Sequence, residues 1–102
     1  MKRYPSWIAG LTYANRGRYA FRHLQAGSQV TLRREPQNQH DPDAVAVTFR
    51  RHTVGYIPER HHWVAHAIDE GRDITCHVDK IEAEGWWLWR RARFVGLVIE
   101  VH

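Results

Sequence analysis

One polar stretch, residues 35–43, constrains the fold of this chain more than any other feature of the sequence. Apolar residues alternate with polar ones on both sides of it. Such alternation at period two indicates half-buried strands. The proline, asparagine and aspartate residues between them fix φ or bond their own backbone, and therefore end strands. The sequence thus predicts two strands, residues 29–34 and 44–49, joined by a polar loop that is longer than a hairpin requires and well suited to recognition.

The remaining segments continue a mainly β pattern with one main helix. This helix is predicted over about residues 58–70, because Pro58 suits a first helical turn, where its missing N–H would have no partner. Gly71 suits the end of that helix. A second short helix or turn is predicted over residues 19–24. Further strands are expected at residues 7–13, 53–57, 74–78 and, as one long strand or two joined by a kink, 86–101.

Six strands and one main helix predict a small β-barrel. Residues 1–102 are therefore expected to form a single, mainly β domain of the α+β class. The buried helix face is predicted from residues that recur at helical spacing, namely Trp63, Val64, Ala67 and Ile68. In the last segment, strand alternation places one of Trp86 and Trp87 in the core and leaves the other exposed.

Composition narrows the functional class. The chain has 102 residues, 43% of them hydrophobic, with a net charge of +4 and a pI near 9.7. Its 15 Lys and Arg residues include only two lysines, and it has 5 tryptophans. Arginine binds phosphate bidentately and stacks on bases, so the composition leans toward nucleic acid. A solvated basic surface over an aromatic core is the alternative interpretation.

Two features bear on the compartment. Cys76 is the only cysteine, so no internal disulfide is expected, which agrees with a reducing cytoplasm. No apolar run is long enough to span a bilayer, so no membrane association is expected. We expect a cytoplasmic monomer or weak oligomer.

Several motifs, in order along the chain, resemble the HIRAN domain family. A strand ends in Leu32, Arg34, Glu35 and Pro36, then come Asn38 and Asp41, and the return strand reads Ala44–Val45–Ala46–Val47. Val54–Gly55–Tyr56–Ile57–Pro58 precedes the helix, and Gly10–Leu11–Thr12–Tyr13 lies upstream. The resemblance covers residues 7–82, and it is specific as a combination although each motif alone is weak. It implies a modified OB-like β-barrel, that is, one of the oligonucleotide-binding type.

The resemblance also implies capture of the 3′ end of single-stranded DNA. In characterised HIRAN domains, the residue matching Asp41 contacts the terminal 3′-hydroxyl, and the residue matching Tyr13 stacks on a terminal base. The chemistry of Asp41 agrees, because a carboxylate repels phosphate but accepts a hydrogen bond from a hydroxyl. The alternative for Asp41 is a turn-forming role in its own loop, and the alternative for Tyr13 is a place in the core.

The chain departs from the family pattern at three positions. His40 stands where the family usually has tyrosine, Gln39 where it has proline, and Thr12 where the DNA-binding relatives have arginine. The arginines that are candidates to supply a phosphate contact in place of Thr12 are Arg18, Arg22, Arg33 and Arg34. Asn38 is a candidate contact as well, with a turn-forming role as its alternative. The full set predicted to bind nucleic acid is Tyr13, Arg34, Asn38, His40, Asp41, Tyr56, Arg60 and Trp87.

The 8 histidines raise the question of a metal site. His62 and His66 are four residues apart and share a predicted helix face, but there is no His-Glu-x-x-His motif, and a closed zinc site needs about four ligands. A solvated helix surface is therefore the favoured interpretation, and no metal or cofactor is expected. No catalytic signature is present, and Cys76 is expected to be buried, so we do not expect an enzyme.

Three functions remain as hypotheses. The first is a nucleic-acid-binding module that recognises single-stranded DNA, with its 3′-hydroxyl end, in repair or replication. The second is a protein-interaction domain with an altered DNA site, which an exposed apolar patch at residues 86–89 without converging arginines would favour. The third is a zinc-binding module or one associated with a metal-dependent hydrolase.

Overall fold

Six antiparallel strands form one curled sheet, a half-barrel, in the computed structural model, which describes residues 1–102. The strands are β1 (Lys2–Trp7), β2 (Gln29–Arg34), β3 (Val45–Phe49), β4 (His52–Tyr56), β5 (Ile74–Glu84) and β6 (Arg91–Val101). The helices are α1 (Arg16–His23) and α2 (Trp63–Asp69), with 3₁₀ turns at Glu59–His61 and Trp87–Trp89. The sheet order is β1-β6-β5-β2-β3-β4. The prediction of a six-stranded, mainly β, barrel-like fold is confirmed.

The curled sheet closes where the residues after β1 meet the end of β4. The Ala9 N–H donates to the Tyr56 carbonyl at 2.7 Å, and the Tyr56 N–H donates to the Ala9 carbonyl at 3.0 Å. Gly55 permits this approach, because a Cβ at its position would lie 2.1 Å from Ile8 Cγ2 and 2.5 Å from the Ala9 carbonyl oxygen. The contact between the two ends of the sheet therefore requires glycine at this position.

The core lies against the concave face of the sheet. β6 shows the strict alternation expected from the sequence, since Val95, Leu97, Ile99 and Val101 are all buried. Val95, Leu97 and Ile99 share one core cluster with Cys76 and Val78 of β5 and with Val64 and Ala65 of α2. A register shift between Val78 and Lys80 lets β5 bend, as a β-bulge does.

The predicted first strand, residues 7–13, is wrong, because β1 covers Lys2–Trp7. β1 is an edge strand that pairs only with β6, and its first four residues are exposed. Such a strand carries no alternating pattern from which it could be detected. Ile8 and Leu11 are buried, as expected of apolar residues, but they lie in the connection that follows β1.

The helices begin at different residues from those predicted. α1 starts at Arg16 rather than near residue 19, and Gly17 lets it pack tightly on β6, since a Cβ there would lie 2.8 Å from the Ala92 carbonyl oxygen. The single helix predicted over residues 58–70 is instead a 3₁₀ turn followed by the shorter α2. Trp63 lies partly exposed against Tyr4, with ring centroids 4.8 Å apart, rather than in the core. Neither helix has the length and apolarity needed to cross a membrane.

The tryptophan-rich segment between β5 and β6 also differs from its prediction. Gly85 and Trp87 adopt positive φ angles of 94° and 49°, and the Trp89 N–H donates to the Trp86 carbonyl at 3.0 Å. This tight 3₁₀ turn replaces the expected strand alternation. Trp86, Trp87 and Trp89 are all exposed, so the prediction that one of the adjacent tryptophans enters the core is wrong.

Replacing Gly55 with alanine tests the closure of the sheet. We expect Gly55→Ala to lower the free energy of unfolding by about 1–3 kcal/mol or more, because the added methyl group collides with Ile8 and the Ala9 carbonyl. Gly27→Ala is the matched control, since Gly27 also has a positive φ (90°) but open space around it. Urea denaturation followed by circular dichroism measures both, and equal losses would show that the close approach is unimportant.

Candidate nucleic-acid interface

A cleft of about 600 Å³ opens where the connection after β1, the loop between β2 and β3, and the end of β4 converge. Its polar and aromatic lining residues are Tyr13, Arg16, Asn38, His40, Asp41, Tyr56 and Glu59. Five of these seven were predicted from the sequence to bind nucleic acid, and Arg16 and Glu59 were not. Arg34, Arg60 and Trp87, also predicted, do not line this cleft.

One side of the cleft is a stack of a guanidinium between two aromatic rings. The Arg16 guanidinium carbon lies 4.8 Å from the centre of the Tyr13 ring and 5.4 Å from that of the Tyr56 ring. Positive φ angles at Ala14 and Asn15 bring α1 back toward the cleft immediately after Tyr13. The Tyr13 residue is 68% exposed, so its ring lies outside the core and is accessible to a ligand.

The opposite side is a loop held by its own side chains. Asn38 Oδ1 accepts hydrogen bonds from the backbone N–H groups of His40 (2.9 Å) and Asp41 (3.1 Å). Asp41 Oδ1 accepts from the Asp43 N–H at 2.9 Å. Asn38 and Asp41 therefore form the turns that shape this loop, and both still line the cleft. His40 itself is exposed.

The second Asp41 oxygen takes no part in the turn. Asp41 Oδ2 lies 3.8 Å from His62 Nε2, and the Asp41 side chain is 22% exposed. The two oxygens of the Asp41 carboxylate thus have separate roles. Oδ1 orders the loop, and Oδ2 keeps its lone pairs available to another hydrogen-bond donor. The turn-forming role and the binding role considered for Asp41 are compatible in this geometry.

Glu35 connects the loop to the aromatic side of the cleft. It accepts hydrogen bonds from Arg33 Nη2 (2.9 Å), Asn38 Nδ2 (3.0 Å) and the Tyr56 hydroxyl (2.9 Å). Burial alone would raise the pKa of Glu35, but these three donors outweigh it and lower that pKa. Burial, together with the bond to Glu35, raises the pKa of Tyr56. Tyr56 therefore stays neutral, with its hydroxyl held by Glu35 and its ring beside Arg16.

Arg34 ties the loop to α2. Its Nε and Nη2 donate to the two Asp69 carboxylate oxygens at 2.8 and 3.1 Å, and its Nη1 donates to the carbonyls of Pro42 (3.0 Å) and Ala44 (2.9 Å). The hydrogen bond from Arg34 lowers the pKa of Asp69. With all three nitrogens engaged, the guanidinium positions the loop from outside the cleft. We refer to these contacts of Arg34 as the Arg34 clamp.

The cationic group in the cleft is Arg16, which sequence analysis did not single out. DNA-binding relatives have an arginine at the position of Thr12, and the sequence analysis considered other arginines of this chain for its phosphate contact. Arg16 follows Tyr13 by three residues, and that spacing is the only signal in the sequence. The left-handed turn that brings Arg16 back over Tyr13 is not encoded by glycine or proline, so sequence patterns do not reveal it.

A second, smaller cleft of about 340 Å³ lies on the other side of the segment after β1. It is lined in part by Thr12, Asn15, Arg18, Trp89, Arg91 and Arg93. Arg91 pairs with Glu84 at 2.8 Å, and Arg93 pairs with Glu82. Trp87, predicted to bind nucleic acid, is 76% exposed in the adjoining turn. Because residues 10–18 contribute to both clefts, the two lie side by side.

Arg60, at the 3₁₀ turn after β4, faces a different neighbour. Its guanidinium carbon lies 5.8 Å from the centre of the Trp7 ring. The adjoining His61 hydrogen-bonds through Nδ1 to Ser6 at 2.8 Å, and burial lowers its pKa. Arg60 is thus placed on the β1 side of the 3₁₀ turn.

Comparison with known proteins agrees with the fold and the motifs. The HIRAN domain family matches residues 4–88, so the chain belongs to this family. The crystal structure of the HIRAN domain of human HLTF superposes with a TM-score of 0.69 at 19% identity, covering 97% of this chain and 74% of that one. A protein from Lactobacillus plantarum gives a TM-score of 0.68 at 22% identity, covering 94% and 91%. No curated protein sequence matches. HIRAN domains are nucleic-acid-binding domains rather than catalytic ones.

The Arg34 clamp predicts how stability depends on pH. Because Arg34 lowers the pKa of Asp69, the unfolded chain takes up this proton at a higher pH than the folded chain does. The stability that the pair contributes is complete above the ordinary carboxyl pKa and is lost as pH falls through the lowered value. We expect Asp69→Asn to be less stable than the wild type near pH 7, with a smaller loss of stability on going to about pH 3.

Urea titrations at several pH values measure this dependence. Asp79→Asn is the matched control, because Asp79 is an exposed aspartate without an ion pair. Its pH dependence should equal that of the wild type. A parallel pH dependence for Asp69→Asn and the wild type would contradict the role given to the clamp.

Proposed function

We propose that this chain is a non-catalytic module that binds single-stranded DNA and receives its 3′-hydroxyl end in the cleft between Tyr13, Arg16 and Asp41. The observation that carries the proposal is the convergence of an exposed ring, a guanidinium and a carboxylate with a free oxygen on one cleft. A groove that only follows a phosphate backbone has no use for a carboxylate, whereas a groove that ends on a hydroxyl does. Repair or replication intermediates that carry free 3′ ends are the DNA ligands that such a cleft would bind.

Tyr13 supplies the surface for the terminal base. Arg16 covers one side of its ring, and the 68% exposure of the residue leaves contact area for a base. Stacking on an aromatic ring is worth about 1–3 kcal/mol per base and tolerates every base. The proposed site therefore reads the end of a strand rather than its sequence.

Arg16 supplies the phosphate contact. It lines the cleft and belongs to none of the ion pairs, unlike Arg33 and Arg34. Its guanidinium is therefore available to a phosphate next to the terminal nucleotide, and it takes the role that Thr12 lacks. His40, exposed on the facing loop, adds a second ring, which bears a positive charge when it is protonated.

Asp41 distinguishes a strand that ends in a 3′-hydroxyl from one that ends in a 3′-phosphate. Its Oδ2 accepts a hydrogen bond from a terminal 3′-hydroxyl, while a terminal 3′-phosphate meets the same carboxylate with like charge. The hydrogen bond of Oδ1 within the loop fixes the direction of Oδ2. Hydrogen bonds to charged groups contribute about 1.5–3 kcal/mol, enough for a discrimination of about tenfold or more.

A non-catalytic role agrees with the state of the one thiol. Cys76 is 1% exposed, and burial, with Glu100 as a lesser cause, raises its pKa to about 12. A neutral, buried thiol is a poor nucleophile. Cys76 contributes to the core instead.

Matched oligonucleotides with a 3′-hydroxyl or a 3′-phosphate test the end-reading role. We expect fluorescence anisotropy to show binding that is about tenfold tighter to the hydroxyl end, that weakens with salt, and whose end preference is lost in Asp41→Asn. Asparagine keeps an oxygen for the Asp43 N–H, so this variant retains the loop. Asp79→Asn should behave like the wild type.

Two outcomes would contradict the proposal at different levels. Equal affinity of the wild-type protein for both ends would remove the role of Asp41 and leave a general single-strand binder. No binding to either oligonucleotide at low salt would remove the nucleic-acid function altogether.

The 3₁₀ turn at Trp87–Trp89, which we call the tryptophan turn, extends the proposed binding path. Arg18 lines the second cleft with Trp89 and is in no ion pair, and its Nη2 lies 3.5 Å from the Leu88 carbonyl. The ion pairs of Arg91 and Arg93 are exposed and therefore worth only about 0–1 kcal/mol, so a phosphate competes for these arginines. Arginines thus converge on the exposed apolar patch, which favours nucleic acid over a protein partner here.

A length series tests this extension. The double variant Trp87→Ala/Trp89→Ala should bind short oligonucleotides that fill only the first cleft as tightly as the wild type does, but lose about tenfold or more in affinity for longer strands. The affinity of the double variant for short oligonucleotides is the control for its affinity for longer strands. Unchanged affinity at every length would instead assign the tryptophan turn to a protein partner.

A further inference from the structure

We propose that Asp41, Asp43, His62 and His66 form a binding site for one divalent transition-metal ion of the zinc type. We call these four residues the loop–helix cluster. The aspartates lie in the loop between β2 and β3, His62 immediately precedes α2, and His66 lies within α2. The inference concerns an activity separate from DNA binding and rests on the arrangement of these side chains alone.

The donor atoms are already close to one another. One donor atom from each of Asp41, Asp43 and His62 lies within 4.8 Å of the other two. His66 Nε2 adds a fourth donor, 3.4 Å from Asp43 Oδ2. Ligands bound tetrahedrally about 2.0–2.2 Å from one zinc ion are about 3.3–3.6 Å apart. The donor atoms of Asp41, Asp43 and His62, up to 4.8 Å apart, have to approach one another by roughly 1 Å to reach that spacing, and His66, which lies outside this group of three, has to turn toward it.

His62 lies between the two carboxylates. Its Nε2 is 3.8 Å from Asp41 Oδ2, and its Nδ1 is 4.0 Å from Asp43 Oδ2. These distances are too long for hydrogen bonds, so the ring is held near both oxygens without being fixed to either. An ion that joins one nitrogen to these oxygens supplies the missing contact.

The charges of the cluster favour a cation. Two neighbouring carboxylates repel each other, and imidazole groups neutralise them only when protonated. The ion-pair partners of Asp41 and Asp43 are His62 and His66, with no lysine or arginine among them. The Arg34 guanidinium is bound to Asp69, and its positive charge also acts on Asp41 and Asp43 from nearby. A divalent ion between the two carboxylates adds a closer positive charge to that of Arg34.

The Arg34 clamp holds the two halves of the cluster in place before any ion arrives. Arg34 fixes the carbonyls on either side of Asp43 and, through Asp69, the end of α2 that follows His66. The Asp43 N–H orients the Asp41 carboxylate. Such outer contacts typically account for about 10–100-fold in metal affinity, because they pre-position the ligands.

The donor set indicates the class of metal. Two imidazoles with two carboxylates suit zinc, cobalt and nickel, whereas magnesium and calcium take oxygen ligands almost exclusively. All four side chains are at least partly accessible, so an ion reaches the cluster directly from solvent.

Asp41 links the metal site to the cleft. If the proposed end-reading role is correct, a bound ion occupies the same Asp41 Oδ2 that receives the terminal hydroxyl. Zinc should then reduce the preference for a hydroxyl end without abolishing strand binding by Tyr13 and Arg16. This consequence rests on the proposed function, but metal binding itself does not.

The test uses the full chain with any affinity tag removed and metals stripped by a chelator. Isothermal titration with Zn²⁺ should give one ion per chain, and Co²⁺ should give the visible absorption of a tetrahedral site. His62→Gln and Asp43→Asn should each weaken Zn²⁺ binding by about tenfold or more, and the double variant should lose it. His102→Gln, which changes an exposed terminal histidine, should bind like the wild type. Circular dichroism confirms that each variant is folded.

Three results would overturn the inference. These are the absence of saturable Zn²⁺ binding, undiminished binding in the double variant, and tighter binding of Mg²⁺ or Ca²⁺ than of Zn²⁺. DNA binding is measured separately in the presence of a chelator, so failure of the metal site and failure of the nucleic-acid function are distinguishable.

Discussion

The Arg34 clamp is the interaction on which the functional surface depends. One guanidinium joins two loop carbonyls to a carboxylate on α2, and its side chain is only 13% exposed. None of residues 35–43 is fully buried, so this loop is held by polar contacts rather than by packing in the core. The clamp and the internal turns of Asn38 and Asp41 make it rigid, and rigidity is what a recognition loop requires.

The same rigid loop serves two faces. On one face it meets Tyr13, Arg16 and Tyr56 across the larger cleft, and on the other it meets the histidines of α2. Asp41 is the residue common to both. The backbone hydrogen bonds between Ala9 and Tyr56 close the sheet at the opposite wall of the cleft. One wall is therefore held by backbone contacts and the other by the Arg34 clamp and the turns of its own loop.

The sequence predicts well where hydrophobic alternation or turn chemistry is strong. β2 lies where expected, and β6 follows its period-two pattern, because a strand with one buried face has an apolar residue at every second position. β1 and the tryptophan turn were not predicted, since an exposed edge strand and an exposed turn have no alternating apolar pattern. At the cleft, family motifs marked Tyr13 and Asp41, whereas Arg16 and the loop–helix cluster depend on tertiary placement that no local pattern encodes.

The most direct measurement of the central claim is a map of backbone amide NMR shifts during titration with a short 3′-hydroxyl oligonucleotide. The account predicts that the largest changes fall on Tyr13, Arg16 and the loop at residues 38–41. In an Arg34→Lys variant, which has a single ammonium group in place of the bidentate fork, the loop changes should weaken while those at Tyr13 remain. Changes confined to other surfaces, or none at saturating oligonucleotide, would contradict the account.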